Sequence, residues 1–322
     1  MSKEIFREML DCDLTKFPAV IFLALIFFIS RIPFIALGFS AFIKQTYKSS
    51  LPNIGSMDKI ARSVNSLYEK YPYPSLPIRN ERDLVSKLHA NVMSKILVTA
   101  ELEPASLSGK EVLDAGCGTG EKSCYFSYYG ANVMALDLSS SSLANGKKLA
   151  EKFKLKVDFN QCDIAEFKTE KRFDHIFCLG VLHHTSDPYM RFRVLAGLCK
   201  PGGTITVGLY NRYGRFIHRV RRKWIRLNAG EDIQKRMSFV ENSIYKGKFK
   251  NTHEQAYAAD KYANPYESYH SVGEVIDWFN KNNITYIGLH PHTGTGKLQI
   301  FLSELKWLTK RNGFFIISGR KN

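Results

Sequence analysis

The sequence predicts an α/β fold: a doubly wound, seven-stranded, mostly parallel sheet, preceded by an N-terminal hydrophobic membrane segment and interrupted after the fifth strand by a helical insertion. Three observations predict it. An apolar strand, Val112-Leu113-Asp114-Ala115, runs straight into glycines at 116, 118 and 120. Further short apolar strands follow, separated by helical segments such as Ser140 to Lys154, which is the sequence form of parallel strands joined by crossovers. Residues 17–43 form an apolar run whose only charge is Arg31.

The glycine loop after the first strand sets the chemistry. Glycines there permit backbone angles that a Cβ forbids and let a cofactor lie against bare main chain. A dinucleotide loop would place its third glycine one position later, beside the pyrophosphate, where this sequence has Glu121. A carboxylate repels phosphate. It suits a cofactor that has no phosphate and carries a sulfonium and an ammonium group, which is S-adenosylmethionine.

The second strand, Asn132 to Leu138, ends in Asp137 about twenty residues past the loop, the spacing for a ribose ligand. A third, from Val157, ends at Asp163, where an adenine amino group could donate while Ile164 covers the ring. The fourth, Phe173 to Leu179, exits through Gly180-Val181-Leu182-His183-His184. Lys200-Pro201-Gly202-Gly203 reads as a tight turn into the fifth strand, Thr204 to Tyr210. Ile284 to Leu289 and Gly313 to Ser318 read as the sixth and seventh, with a helix over Lys297 to Arg311 between them.

VLDAGCGTG, VMALDLS, FDHIFCLGVLHH and LCKPGG, in this order across roughly Leu107 to Tyr210, closely resemble class I S-adenosylmethionine-dependent methyltransferases, particularly the ubiquinone and menaquinone branch. The resemblance implies a Rossmann-like sheet closed by an antiparallel strand pair. It implies that Asp114, Gly116 and Gly118 hold the methionine moiety, Asp137 the ribose and Asp163 the adenine. Cys117, Gly120, Leu138, Ile164 and Leu179 complete the expected cofactor-binding set.

Methyl transfer from a sulfonium is an in-line displacement in which the protein mainly aligns the acceptor and excludes water. A phenol or alcohol acceptor needs a base, and His183 and His184 leave the fourth strand where the methyl group is expected, so they are the catalytic candidates, ahead of Tyr269 and His270. Leu179-Gly180-Val181-Leu182 stands in place of the Asn/Asp-Pro-Pro-aromatic sequence of amino-directed nucleic-acid enzymes, and Cys178 lacks the preceding proline of a cytosine nucleophile. Gly294-Thr295-Gly296-Lys297 lacks the upstream glycine of a P-loop. No carboxylate cluster suggests a metal.

Six cysteines are scattered over the 322 residues without a CxxC pair, which argues against a disulfide framework and a structural zinc. The net charge of +16 calls for a partner or surface. Asn211 to Arg226 carries seven Lys/Arg and no acid, and on a helix Phe216, Ile217, Val220 and Trp224 fall on one face. Such a helix can lie on an anionic membrane, bind RNA, or pack on its own domain.

In the first forty residues, Phe17 to Ser30 is short of the ~20 residues needed to span a bilayer, whereas the whole run to Ile43 suffices if Arg31 is tolerated. Glu4, Glu8, Asp11 and Asp13 ahead of it argue against a cleaved signal, and the flanking Lys/Arg counts give no orientation. Ser66 to Pro77 carries prolines at alternate positions between tyrosines and is expected to be an extended lid or a rigid linker.

The expected organisation is therefore a membrane-associated segment at 1–45, a lid or cap at 46–105, a cofactor core at 106–211, the basic helix and substrate-side insertion at 212–283, and closing strands at 284–322. The expected function is methylation, at oxygen, of a small-molecule or lipid-linked acceptor at a membrane, with the catalytic domain on the cytoplasmic side. RNA methylation is the alternative, and a non-catalytic cofactor-binding or assembly protein is a third class. Acceptor identity and oligomeric state are not legible.

Overall fold

Strands rich in buried aliphatic side chains on both faces need a layer on each side, and the computed structural model provides them. It describes residues 59–73, 78–86, 88–294, 296–310 and 312–322; the hydrophobic segment predicted at 1–45 lies outside them. Among the described residues no helix is long and apolar enough to cross a membrane.

Seven strands, β1 (Glu111–Ala115), β2 (Asn132–Asp137), β3 (Val157–Gln161), β4 (Phe173–Leu179), β5 (Cys199–Tyr210), β6 (Ile284–His290) and β7 (Phe314–Lys321), form one sheet in the order β3-β2-β1-β4-β5-β7-β6. The first five are parallel, with Leu113 level with Met134 on one side and Ile176 on the other. β7 runs antiparallel to both β5 and β6. The strand order reverses at β1, between β2 and β4, and a cleft opens at the carboxyl ends of strands at such a switch point.

Alternate residues of each strand feed opposite layers. Leu113, Ile176 and Ile205 join Phe192, Trp278 and Phe279 beneath the sheet, while Val112 and Phe177 join Leu97 and Phe126 above it. α1 (Lys59–Lys70) leads into the helices that supply these layers, among them α2 (Glu81–Val85), α3 (Leu88–Thr99), α4 (Glu121–Tyr128), α5 (Ser140–Lys152) and α6 (Pro188–Leu198). α5 is capped by Ser139, whose hydroxyl accepts from the Ser142 amide, and α6 by Asp187 followed by Pro188.

The insertion builds a core of its own. It comprises α7 (Phe216–Ala229), α8 (Ile233–Ser243), α9 (Thr252–Ala258) and a π-helical turn, Ala259–Ala263. Ile225, Val240 and Tyr262 there pack against Leu67 of α1 and Tyr71 just beyond it. α10 (Val272–Lys281), with a Ser271/Glu274 capping box, and α11 (Lys297–Lys310) return to the sheet.

Three local expectations are corrected. Ser66 to Lys70 is the end of α1 and not extended chain: Ala61, Val64 and Leu67 recur at helical spacing, Leu67 joins the insertion core, and the first proline comes only at 72. The Lys200–Gly203 turn lies inside β5 as a bulge, because Phe173 pairs with Cys199 and His175 already with Thr204. Of the apolar face expected on the basic helix, Trp224 packs on the insertion core, but the first turns point the other way. Phe216 and Val220 are exposed, whereas Arg222 and Ile225 are buried. Arg222 sits 3.2 Å from Glu267 and donates to the Asn264 carbonyl at 2.6 Å, and Arg226 donates to the Pro265 carbonyl at 2.6 Å. Buried carbonyls and a buried carboxylate outcompete the apolar face for the inner side, since leaving them unpaired costs more than exposing two apolar side chains.

Candidate functional site

A cavity of about 660 Å³ runs over the carboxyl ends of β1, β2 and β4 and out beneath α1 and the insertion. That volume lies in the range of small-molecule and cofactor sites.

Its inner half is made by the glycine loop. Gly116 has φ +77°, and a Cβ there would meet Val181 at 2.1 Å, so no other residue fits. The amides of Gly116 and Cys117 both donate to the Leu136 carbonyl, at 2.7 and 2.8 Å, which ties the loop to β2. Asp137 completes the tie: one carboxylate oxygen accepts from the Gly118 amide at 2.8 Å and the other from the Ser139 amide at 2.9 Å. Burial pushes its carboxyl up, against the pull of these two amides. Asp114 is fully buried below the loop and accepts from Ser123 at 2.7 Å, while Lys122 stands 3.8 Å from its other oxygen, which has no hydrogen bond. Burial raises that carboxyl too, although Lys122 and Ser123 pull it down.

The next acid is not free. Asp163 is gripped by both ends of Arg191, Nε to Oδ1 at 3.0 Å and Nη2 to Oδ2 at 2.8 Å, and Oδ1 also accepts from the Ala165 amide at 2.8 Å. Both partners line the cavity. Arg191 went unnoticed in the sequence because a lone arginine inside a helix carries no motif.

The outer half comes from segments far apart in the chain. Tyr68 of α1 and Asp260 of the π-helical turn both line it, and the Tyr68 hydroxyl donates to Asp260 Oδ1 at 2.6 Å. Glu69 accepts from the Ser140 amide at 2.5 Å, so the same helix is also pinned to the start of α5. Arg215 lies over the Tyr210 ring at 3.5 Å and donates to Glu267 at 3.0 Å. Val64, Val92, Ile96, Phe314 and Ile316 make the remaining wall apolar.

Of the residues expected from the sequence, Gly116, Cys117, Gly118, Asp137, Leu138, Asp163, Ile164, Leu179 and His184 line the cavity. Asp114, Gly120 and His183 do not. Gly120 is the left-handed N-cap of α4, where a Cβ would crowd Gly146 and Phe159. His183 is fully buried, stacked 3.7 Å from the Tyr210 ring, and burial holds its pKa well below the ordinary histidine value. Tyr269 and His270 are also outside: Tyr269 donates to Glu267, and His270 bonds Ser268 and Glu274.

His184 faces inward. Its Nδ1 is 2.8 Å from the Tyr266 carbonyl, and a carbonyl can only accept, so Nδ1 carries the proton and Nε2 keeps its lone pair. Nε2 is 3.9 Å from Asp260 Oδ1. Burial lowers the His184 pKa, opposed by Asp260, Glu267 and the Tyr266 carbonyl, so the ring is neutral near pH 7.

A family model described as a methyltransferase domain matches residues 112–203. This core is a class I S-adenosylmethionine-dependent methyltransferase domain. Over 109 residues the chain is 38% identical to the ubiquinone biosynthesis O-methyltransferase of Bordetella bronchiseptica, covering 33% of this chain and 45% of that enzyme. Over 255 residues it is 26% identical to an uncharacterized protein of Synechococcus, covering 72% and 60% of the two. The chain thus spans about half the length of these curated relatives. Among solved structures, PKMT2 from Rickettsia typhi shares the fold, with a TM-score of 0.51 and 18% identity over 70% of this chain and 51% of that one.

The cofactor of the methyltransferase domain fits the residues present. Gly118, at φ +57°, lines the cavity, and a Cβ there would meet nothing within 4 Å, so the main chain is left bare where a ligand can lie on it. Glu121 and Asp137 place two carboxylates in the cavity wall, and Asp114, outside that wall, keeps an unbonded oxygen. Lys122 offsets part of that charge, and the remainder suits a cationic, phosphate-free ligand better than a dinucleotide.

Proposed function

We propose that the chain transfers a methyl group from S-adenosylmethionine to a hydroxyl of a small or lipid-linked acceptor presented at a membrane. The observation that carries this reading is one cavity joining the methyltransferase loop to His184 Nε2 across an apolar wall. When bound, the cofactor supplies a methyl group already activated on sulfur. Asp137 would hold it through the ribose, beneath the backbone of Gly116 to Gly118. The acceptor would lie between Tyr68, Phe314 and His184. His184 Nε2 takes the hydroxyl proton, and Asp260 Oδ1 at 3.9 Å faces the imidazolium charge so created. α1, held by Asp260 and Ser140, closes the cavity against water.

The likeness over a third of the chain to a ubiquinone O-methyltransferase supports transfer to oxygen, and the apolar run at 17–43 supports a membrane setting. Incubating cell extract with the protein and methyl-labelled cofactor tests it: label belongs in the organic phase as an ether. Label in RNA, or none in any fraction while calorimetry shows the cofactor bound, would overturn the reading in favour of the RNA enzyme or the binding protein.

A further inference from the structure

α11 carries its apolar residues on the wrong side for a core. Leu298, Phe301, Leu302 and Leu305 are 68%, 44%, 47% and 38% exposed and recur at the spacing of one helix face. The helix cannot roll them inward. Its opposite face is fixed by buried Ile300 and Trp307 and by Glu304, which accepts from Asn211 Nδ2 at 2.6 Å and from the Val272 amide at 3.0 Å. Lys297 and Lys306 are exposed and fall about a quarter turn to either side of the stripe. An apolar stripe between two flanking lysines is the arrangement of a helix lying in a bilayer interface, with apolar residues at the acyl boundary and ammonium groups reaching back to the phosphates.

A second element continues the face. The Tyr213 ring, just before α7, packs edge-on against Phe301 at 6.1 Å. From there α7 turns Phe216 and Val220 outward, interleaved with exposed Arg219 and Lys223. Basic groups beside apolar ones on both helices match an anionic surface, not a neutral one. Four residues beyond the end of α11 begins β7, whose Phe314 is both partly exposed and part of the cavity wall. The face and the active cavity therefore share one connection.

We propose that the outer face of α11, extended by the start of α7, docks on an anionic phospholipid bilayer and brings the cavity to the membrane surface. This rests on the reading of a membrane-presented acceptor, and it names a docking site separate from the apolar run at 17–43. The test uses the full chain with Leu302→Cys carrying an environment-sensitive fluorophore. The buried cysteines at 117, 124, 178 and 199 are shielded from label, and the unsubstituted chain labelled in parallel supplies the background. Phosphatidylglycerol vesicles should shift the emission to the blue, and phosphatidylcholine vesicles should not. No shift while the chain still sediments with the anionic vesicles would overturn the docking face and leave the methyltransferase reading intact. An equal shift with both vesicles, a shift that grows with protein concentration without lipid, or one produced by RNA alone would each overturn it in favour of a neutral surface, a second copy of the chain, or nucleic acid. Failure of the reading itself shows separately, as methyl label absent from the organic phase.

Discussion

Tyr68 and Asp260 are 192 positions apart in the chain and 2.6 Å apart at the cavity mouth, the hydroxyl of one donating to the carboxylate of the other. The bond joins a helix that precedes the sheet to an insertion that follows its fifth strand, and both residues line the cavity between them. Asn264 Nδ2, donating to the same hydroxyl at 3.2 Å, holds the tyrosine in place.

Tyr68→Phe removes that bond without changing the packing. A hydrogen bond to a charged group is worth about 1.5–3 kcal/mol, so the cap should loosen by that order. We expect faster amide exchange in α1 and a higher acceptor KM, with cofactor affinity in calorimetry little changed. Unaltered exchange would show that the apolar contacts of Leu67 and Tyr71 close the site alone.

His184→Gln keeps the size of the side chain and removes the base. We expect kcat to fall about 10²–10⁴-fold with the cofactor bound as before. Burial lowers the His184 pKa, so the parent should be at full activity at neutral pH and lose it only on the acid side of the ordinary histidine range. The acid limb should vanish in the variant; its survival would assign it to another group.

Arg191→Met leaves the Asp163 carboxylate buried without its partner. Both groups are nearly inaccessible and joined by two hydrogen bonds, so the loss should be about 3–5 kcal/mol in chemical denaturation. Adding Asp163→Leu should restore much of it. Equal instability of the double variant would mean that the pair matters through its shape and not its charge.

Acid should unfold the protein through histidines. Burial lowers the His175 pKa to about 4, with Thr204 bonded to Nδ1 at 2.9 Å, while an unfolded histidine titrates near 6.5. Between those values the unfolded chain binds the extra proton. Stability is therefore complete above about pH 6.5 and falls as pH drops towards 4, by about 3 kcal/mol from this residue. His183, His184 and His218, all lowered by burial, add to the slope. Denaturation midpoints at several pH values check this, and His175→Asn should flatten the curve.

The sequence by itself determined the sheet and the glycine-loop half of the cavity. Strand periodicity is local, and the glycine loop and the acid closing β2 act through their own backbone, so Gly116, Gly118 and Asp137 could be read without knowing their neighbours. The choice between His183 and His184 was not local. Adjacent residues leaving a strand point different ways, and which one meets the cavity depends on Tyr210 covering the first and the Tyr266 carbonyl orienting the second. The face of the basic helix was likewise decided by tertiary contact. A helical pattern weighs apolar against polar residues, and it has no knowledge of the buried Glu267 carboxylate and the Asn264 carbonyl that draw Arg215 and Arg222 inward. Asp163 looked like an open acid for the same reason, until the fold placed Arg191 across it. Hydrogen bonds and charges are satisfied by groups distant in the chain, and only the folded chain brings those groups together.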